Sequence, residues 1–205
     1  YKPGAPSIPK QEKIWTAISY RTDGAKKSES LYEYTDNALG KVTTYQNTES
    51  NWSGTTYTKY ESLYTGRPSK ERVAQTLTYN KERVAVKETD YDYSGDQDNG
   101  LDAVSVYRLE TGNNKNLSSR SFYLGYAGEE ILDKTYNYKY DGITVKETTF
   151  YIYNGRSAND PLVTSDDAMT TSEIYKGEWN DVASAWNNNA IISRTFYETR
   201  FGKGE

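Results

Sequence analysis

The fold turns on residues 131–155, Ile131-Leu-Asp-Lys-Thr-Tyr-Asn-Tyr-Lys-Tyr140-Asp-Gly-Ile-Thr-Val-Lys-Glu-Thr-Thr-Phe-Tyr-Ile-Tyr153-Asn-Gly155. Read at every second residue, the first half gives one row of Leu132, Lys134, Tyr136, Tyr138 and Tyr140. The other row is Ile131, Asp133, Thr135, Asn137 and Lys139. Tyr and Thr are strand formers, and successive side chains of a strand point to opposite faces. Asp141-Gly142 then supplies the positive φ that a tight hairpin turn requires. A second strand-like run, Ile143–Tyr153, ends on the turn residues Asn154-Gly155. The stretch predicts a β-hairpin. Neither row is a clean aliphatic one, so the sheet is expected to be held by cross-strand ladders of Tyr, Thr, Lys and Glu. Arg83–Tyr93 has the same character, with Val84, Val86, Glu88, Asp90 and Asp92 against Arg83, Ala85, Lys87, Thr89, Tyr91 and Tyr93.

The unit recurs. Tyr34, Tyr64, Tyr93, Tyr123 and Tyr153 are spaced 30, 29, 30 and 30 residues apart, and four of them open Tyr-x-Gly turns at Gly66, Gly95, Gly125 and Gly155. Tyr175-Lys176-Gly177 repeats the turn out of phase, and Val86-Lys87-Glu88-Thr89 returns as Val145-Lys146-Glu147-Thr148. A period of this size marks modules that stack on their neighbours rather than enclosing one core. Further strand-like runs are Ile14–Tyr20, Ser28–Thr35, Lys41–Gln46, Thr55–Tyr64, Arg72–Tyr79, Asp102–Glu110, Leu117–Leu124, Thr170–Lys176 and Ile191–Phe201. The expected fold is all-β, a long antiparallel meander or flattened sandwich of about twelve strands built from ~30-residue hairpin repeats. Residues 1–13, with Pro3, Pro6 and Pro9, read as an extended arm. Residues 14–205 form the repeat domain, with an irregular insertion at about 157–189.

Composition agrees. Leu, Ile, Val and Phe make up 32 of 205 residues, few enough to suggest disorder if net charge were high, but the net charge is only −4. The 21 tyrosines supply the missing apolar area. There is no cysteine and no histidine. That excludes Cys nucleophiles, Ser-His-Asp triads, His or Cys metal ligation and disulfides. With no pattern marking any of the 29 acids as a catalytic pair, the chain is read as non-catalytic. It carries no basic stripe for nucleic acid and no apolar run near the ~20 residues of a membrane-spanning helix.

Several local features are candidate sites. Asp96-Gln-Asp98-Asn-Gly100-Leu-Asp102 is similar to a calcium loop, where alternating carboxylates suit a hard cation, so Asp96, Asp98 and Asp102 are candidate ligands of a structural calcium. Otherwise the loop is a solvated acidic hairpin end, and no other cofactor is expected. Asn51-Trp-Ser and Asn116-Leu-Ser match the N-glycosylation pattern at Asn51 and Asn116. Trp15, Trp52, Trp179 and Trp186 are read first as packing or interface residues. With the Tyr rows they also suit a flat platform for surface glycans.

Tyr32-Glu-Tyr34-Thr-Asp-Asn-Ala-Leu-Gly40, Tyr138-Lys-Tyr140-Asp-Gly142 and Tyr151-Ile-Tyr153-Asn-Gly155-Arg resemble YD repeats of Rhs-like bacterial surface and toxin-carrier proteins. The resemblance implies hairpin modules wound into an extended sheet or shell with a structural role. The unit here is longer than that family's usual repeat.

A sheet with so little aliphatic core gains burial from self-association. The expected function is a secreted structural subunit, its signal peptide removed ahead of Tyr1, that polymerises with copies of itself into an extracellular filament or surface fibre. The arm would strap a neighbour's edge strand. Ile8, Ile14, Trp15, Trp179 and Trp186 are the expected intersubunit contacts. The alternatives are a monomeric carbohydrate-binding module, or a fragment of a larger Rhs-like β-shell.

Overall fold

The computed structural model describes residues 13–47, 54–93, 100–110, 114–179 and 191–197. Within them thirteen strands form one antiparallel sheet. They are β1 (Thr16–Tyr20), β2 (Lys26–Thr35), β3 (Ala38–Asn47), β4 (Thr56–Thr65), β5 (Arg72–Tyr79), β6 (Ala85–Tyr93) and β7 (Leu101–Leu109). The chain continues as β8 (Lys115–Leu124), β9 (Ile131–Tyr138), β10 (Val145–Tyr153), β11 (Arg156–Ser157), β12 (Met169–Lys176) and β13 (Ile191–Phe196). Each strand lies beside its sequence neighbour from β1 to β10, then come β12 and β13, while the two-residue β11 pairs with the end of β10.

This is the meander, and it is not a sandwich. Substantial contacts between strands join sheet neighbours only, so among the described residues no second sheet packs on either face. The rows explain why: a sandwich needs one aliphatic face per strand, and here both faces are mixed. The buried apolar side chains among the described residues are Tyr57, Ala103, Tyr153, Ala158 and Tyr175, alongside the buried polar Thr43, Asn47, Thr89, Thr148, Thr149 and Ser172.

Register gives each face its chemistry. One carries a hydroxyl row, with Ser30 on Thr44 at 2.8 Å, Ser62 on Thr76 at 3.0 Å and Ser121 on Thr135 at 2.9 Å. The other carries charge. Lys41 meets Glu61 at 2.6 Å, Lys115 bridges Glu88 at 2.5 Å and Asp90 at 3.0 Å, and Arg194 meets Glu173 at 2.6 Å. We call them the hydroxyl face and the charged face.

A finer repeat lies beneath the 30-residue one. Each of the eleven pairings along the main path contains one register shift, and each shift adjoins a tyrosine: Tyr20, Tyr34, Tyr45, Tyr64, Tyr79, Tyr93, Tyr107, Tyr123, Tyr138, Tyr153 and Tyr175. The extra residue always sits near the start of the following strand, as Gly40 does opposite Glu33 and Tyr34, or Asp133 opposite Phe122 and Tyr123. Such bulges increase the right-handed twist and pin the register. The residue facing the tyrosine is most often aliphatic, as in Tyr64↔Val73, Tyr93↔Leu101, Tyr107↔Leu117, Tyr123↔Leu132 and Tyr175↔Ile191. In eight of the eleven pairings that residue lies six positions before the next repeat tyrosine, and in the other three it lies eight before.

Because strands alternate in direction, the tyrosines of β2, β4, β6, β8 and β10 line one margin on the hydroxyl face, and those of β3, β5, β7, β9 and β12 line the opposite margin on the charged face. Of the repeat tyrosines Tyr153 and Tyr175 are buried, most of the others are half-buried and Tyr20 is exposed, so apolar burial at the margins is uneven.

The segment between β11 and β12 is a chain of tight turns closed by carboxylates. Asp160 accepts from Leu162 N–H at 2.9 Å, and Asp167 accepts from Thr164 N–H at 2.8 Å and from the Asn154 amide at 2.5 Å.

Candidate functional site: two open edges and an aromatic cleft

The sheet ends in two edge strands that are exposed along their whole length. On β1 the sequence Thr-Ala-Ile-Ser-Tyr carries no charge, and Ile14, Trp15 and Ile18 are 58%, 61% and 44% exposed. The residues ahead of β1 dock in cis on β2. Tyr32 N–H donates to the Trp15 carbonyl at 3.0 Å, and the Tyr34 hydroxyl donates to the Ile14 carbonyl at 3.0 Å. The Trp15 and Tyr34 rings meet edge to face at 5.5 Å, and Lys13 Nζ sits 4.8 Å over the Tyr34 ring. The two expected contact residues Ile14 and Trp15 thus belong to a strand edge.

β13 closes the other end with Ile191, Ile192, Ser193, Arg194, Thr195 and Phe196, its one charge held by Glu173. Tyr197 follows. Its N–H donates to the Thr170 carbonyl at 2.9 Å and its hydroxyl lies 3.1 Å from Ser172 Oγ on the hydroxyl face. Ile192, Phe196 and Tyr197 are 53%, 74% and 41% exposed. Edge strands in natural proteins are usually blunted by Lys, Pro or a covering segment; both of these lack Lys and Pro, expose Ile18 or Ile191, Ile192 and Phe196, and are uncovered among the described residues.

Trp179 belongs to a different feature. Its ring packs edge to face on Phe150 at 5.0 Å and on Tyr175 at 5.1 Å, and those two rings meet at 5.8 Å. Such pairs contribute about 0.5–1.5 kcal/mol each beyond area burial. Phe150 and Tyr175 reach the same spot because both lie on the charged face of adjacent strands, offset by two residues. The Tyr175 hydroxyl donates to Glu173 at 2.5 Å. Burial, and then the carboxylate beside it, push the Tyr175 phenol up to about 12. These rings, with Lys134, Ile152 and Glu173, line a cleft of about 360 Å³. That is at the small end of ligand sites, which run ~300–1,000 Å³.

The remaining candidates are dispersed. Asp102 is the bulge residue of β7, opposite Asp92 and Tyr93. Asp96 and Asp98 lie outside the described residues, among which no group of three or more His, Cys, Asp or Glu could hold a metal ion. Asn116 is inside β8, paired with Arg108, and its amide donates to Glu110 at 3.1 Å, so that sequon sits in a paired strand. Ile8, Asn51, Trp52 and Trp186 lie outside the described residues. No helix among the described residues is long and apolar enough to cross a membrane.

Sequence reasoning missed Phe150 and Tyr175 as partners of Trp179, and it missed Tyr197. The signal for Tyr197 was present: it stands six residues after Ile191, the commonest spacing of the strand repeat.

No family profile matches the chain, and no curated protein matches it. Among solved structures, a Bacteroides fragilis protein of unknown function is similar at 12% identity and a TM-score of 0.31, over 86% of this chain and 96% of that one.

Proposed function

We propose that the chain is a non-catalytic structural subunit that self-associates edge to edge into an extracellular filament or surface fibre. The observation that carries this reading is a single-layer sheet with two open edges that expose apolar side chains. In an alternating path of twelve strands, β1 and β13 run in opposite directions. The β13 of one copy can therefore lie antiparallel beside the β1 of the next without reversing either copy, each one turned by the twist of the sheet. Such a head-to-tail contact does not close, and it generates a filament. At about 4.8 Å per strand, twelve strands give a repeat of about 58 Å along the axis. A place at a cell surface is supported by the resemblance to YD repeats.

The test is electron microscopy and sedimentation of the chain and of Ile18→Lys and Ile192→Lys, which place a charge on each edge. Filaments with the expected repeat, lost in either variant, support the reading. A monomer at hundreds of micromolar sinks it.

The cleft under Trp179 favours a second reading, a glycan-binding module, because a cluster of aromatic rings beside the Glu173 carboxylate and the Lys134 ammonium suits a sugar. Calorimetry against a panel of oligosaccharides, with Trp179→Ala as control, separates the two.

A further inference from the structure

The repeat that joins the strands has two unmatched halves, one at each end of the sheet, and they fit each other. Every internal joint combines a tyrosine near the end of one strand with an opposed residue and a bulge near the start of the next, as in Tyr123 against Leu132 with Asp133 extra. β13 carries its tyrosine, Tyr197, but among the described residues no strand follows to face it. β1 carries its own tyrosine, Tyr20, against β2, yet no described strand precedes it. Counting back six from Tyr20, the commonest spacing, lands on Ile14, an aliphatic residue as at most of the internal joints. Trp15 then falls at the bulge position.

We propose that Tyr197 of one copy sits opposite Ile14 of the next, with Trp15 as the bulge residue, so that the contact between copies reproduces the internal joint. This rests on the edge-to-edge reading above and fixes its register.

Two independent features agree with it. The first is face parity. Extending the internal pattern, in which the residue before the tyrosine faces the second residue after the opposed one, gives Phe196↔Thr16, Thr195↔Ala17, Arg194↔Ile18 and Ser193↔Ser19. Phe196 and Arg194 stand opposite Thr171 and Glu173 on the charged face, and Thr16 and Ile18 stand opposite Leu31 and Glu29 on the same face. Thr195, Ser193, Ala17 and Ser19 all lie on the hydroxyl face. A slip of one residue would bring opposite faces together. The second is the hydroxyl row. Ser19 Oγ already lies 2.6 Å from Ser28 Oγ, and Ser193 faces Ile174. The register sets Ser193 beside Ser19 and extends the Ser19–Ser28 pair by one hydroxyl across the joint.

The chain has no cysteine, so introduced thiols report cleanly. Opposed residues of an antiparallel pair are about 4.5–5.5 Å apart at Cα, within disulfide reach. The full chain carrying Ala17→Cys and Thr195→Cys is oxidised with diamide and run on a non-reducing gel, beside Ala17→Cys with Phe196→Cys as the slipped control. The two edges of one copy stand eleven strand spacings apart, roughly 50 Å, so an internal bridge is out of reach. The expected result is a covalent ladder of dimers and higher oligomers, at least ten-fold stronger for 17/195 than for 17/196. An equal ladder from both pairs, or none from 17/195 in a sample that still sediments as filaments, overturns the register and leaves edge association standing. A sample that sediments as a monomer before oxidation overturns both.

Discussion

Replacing Tyr153 by alanine should be among the costliest single changes in this protein, although the position lies at the margin of a one-layer sheet. Tyr153 is 7% exposed and faces Met169 across the β10–β12 joint. β10 pairs with β9 only as far as Phe150↔Lys134, so Leu132 lies beyond that ladder. The Tyr153 hydroxyl donates to the Leu132 carbonyl at 2.9 Å and supplies the partner that the backbone of β10 does not. Truncating a buried aromatic side chain to alanine costs about 3–5 kcal/mol. Of this the hydrogen bond accounts for about 0.5–1.5 kcal/mol, which Tyr153→Phe isolates. For a chain of this size each kcal/mol lowers Tm by about 2–4 °C, so Tyr153→Ala should lose roughly 6–20 °C and Tyr153→Phe a few degrees. Tyr126, 75% exposed, is the control: its alanine variant should stay within about 0.5 kcal/mol of the parent. The assay is thermal and urea unfolding followed by far-ultraviolet circular dichroism. Because strands here stabilise mainly their neighbours, hydrogen exchange should show the loss concentrated in β9, β10 and β12. Equal stability of Tyr153→Ala and Tyr126→Ala would refute the idea that the marginal tyrosines form the core.

Three further outcomes follow from the same geometry. Thr148 is fully buried, and its hydroxyl donates to the Gly177 carbonyl at 2.6 Å. Thr148→Val, nearly isosteric, should cost about 1–3 kcal/mol in urea unfolding because that carbonyl loses its partner, whereas Thr148→Ser should keep the bond. Glu61 is held below the usual carboxylate range by its bonds to Lys41 and Tyr79, and Tyr79 is pushed up to about 12 by burial and then by Glu61. A depressed carboxylate adds stability that is present above its unfolded pKa, near 4, and fades as pH falls through that range. A raised phenol adds stability that is complete below about 10 and is lost as pH climbs towards 12. Glu61→Gln should therefore flatten the acid limb of the stability profile and bring Tyr79 partway back towards 10 in a titration followed at 295 nm. Asp141 closes the β9–β10 turn by accepting from Ile143 N–H and Thr144 N–H at 2.9 Å and from the Thr144 hydroxyl at 2.6 Å, bonds that lower its pKa to about 2. Exchange protection of this hairpin should persist at pH 4, decline towards pH 2, and be weak at every pH in Asp141→Ala.

The bounds of Arg72–Tyr79 came directly from the sequence, and those of the other main-path strands came to within a few residues, because strand formers and turn residues alternate without ambiguity in this chain. Asp141-Gly142 and the Tyr-x-Gly turns announced themselves through glycine: Gly66 has φ +117°, and a Cβ there would lie 2.5 Å from the Lys70 carbonyl oxygen. The 30-residue period was visible because the same face and margin return only at every second strand. The half-period was not. Tyrosines on alternate strands sit at opposite margins, and the turns between them vary in length, so their spacing wanders from 11 to 22 residues. The two-residue β11 is too short to leave a pattern. The gathering of Phe150, Tyr175 and Trp179 depends on the offset between β10 and β12, which the connecting turns set and local sequence does not encode.

Local propensity and alternation thus determined that this chain is an all-β meander with mixed faces and no aliphatic core row. Whether those strands would lie in one layer or fold into two depends on long-range contacts, and only the tertiary structure decided it. It places the bulges opposite the tyrosines and leaves the outer edges of β1 and β13 open among the described residues. A strand's edge is defined by what does not pack beside it, and no property of its own residues records that.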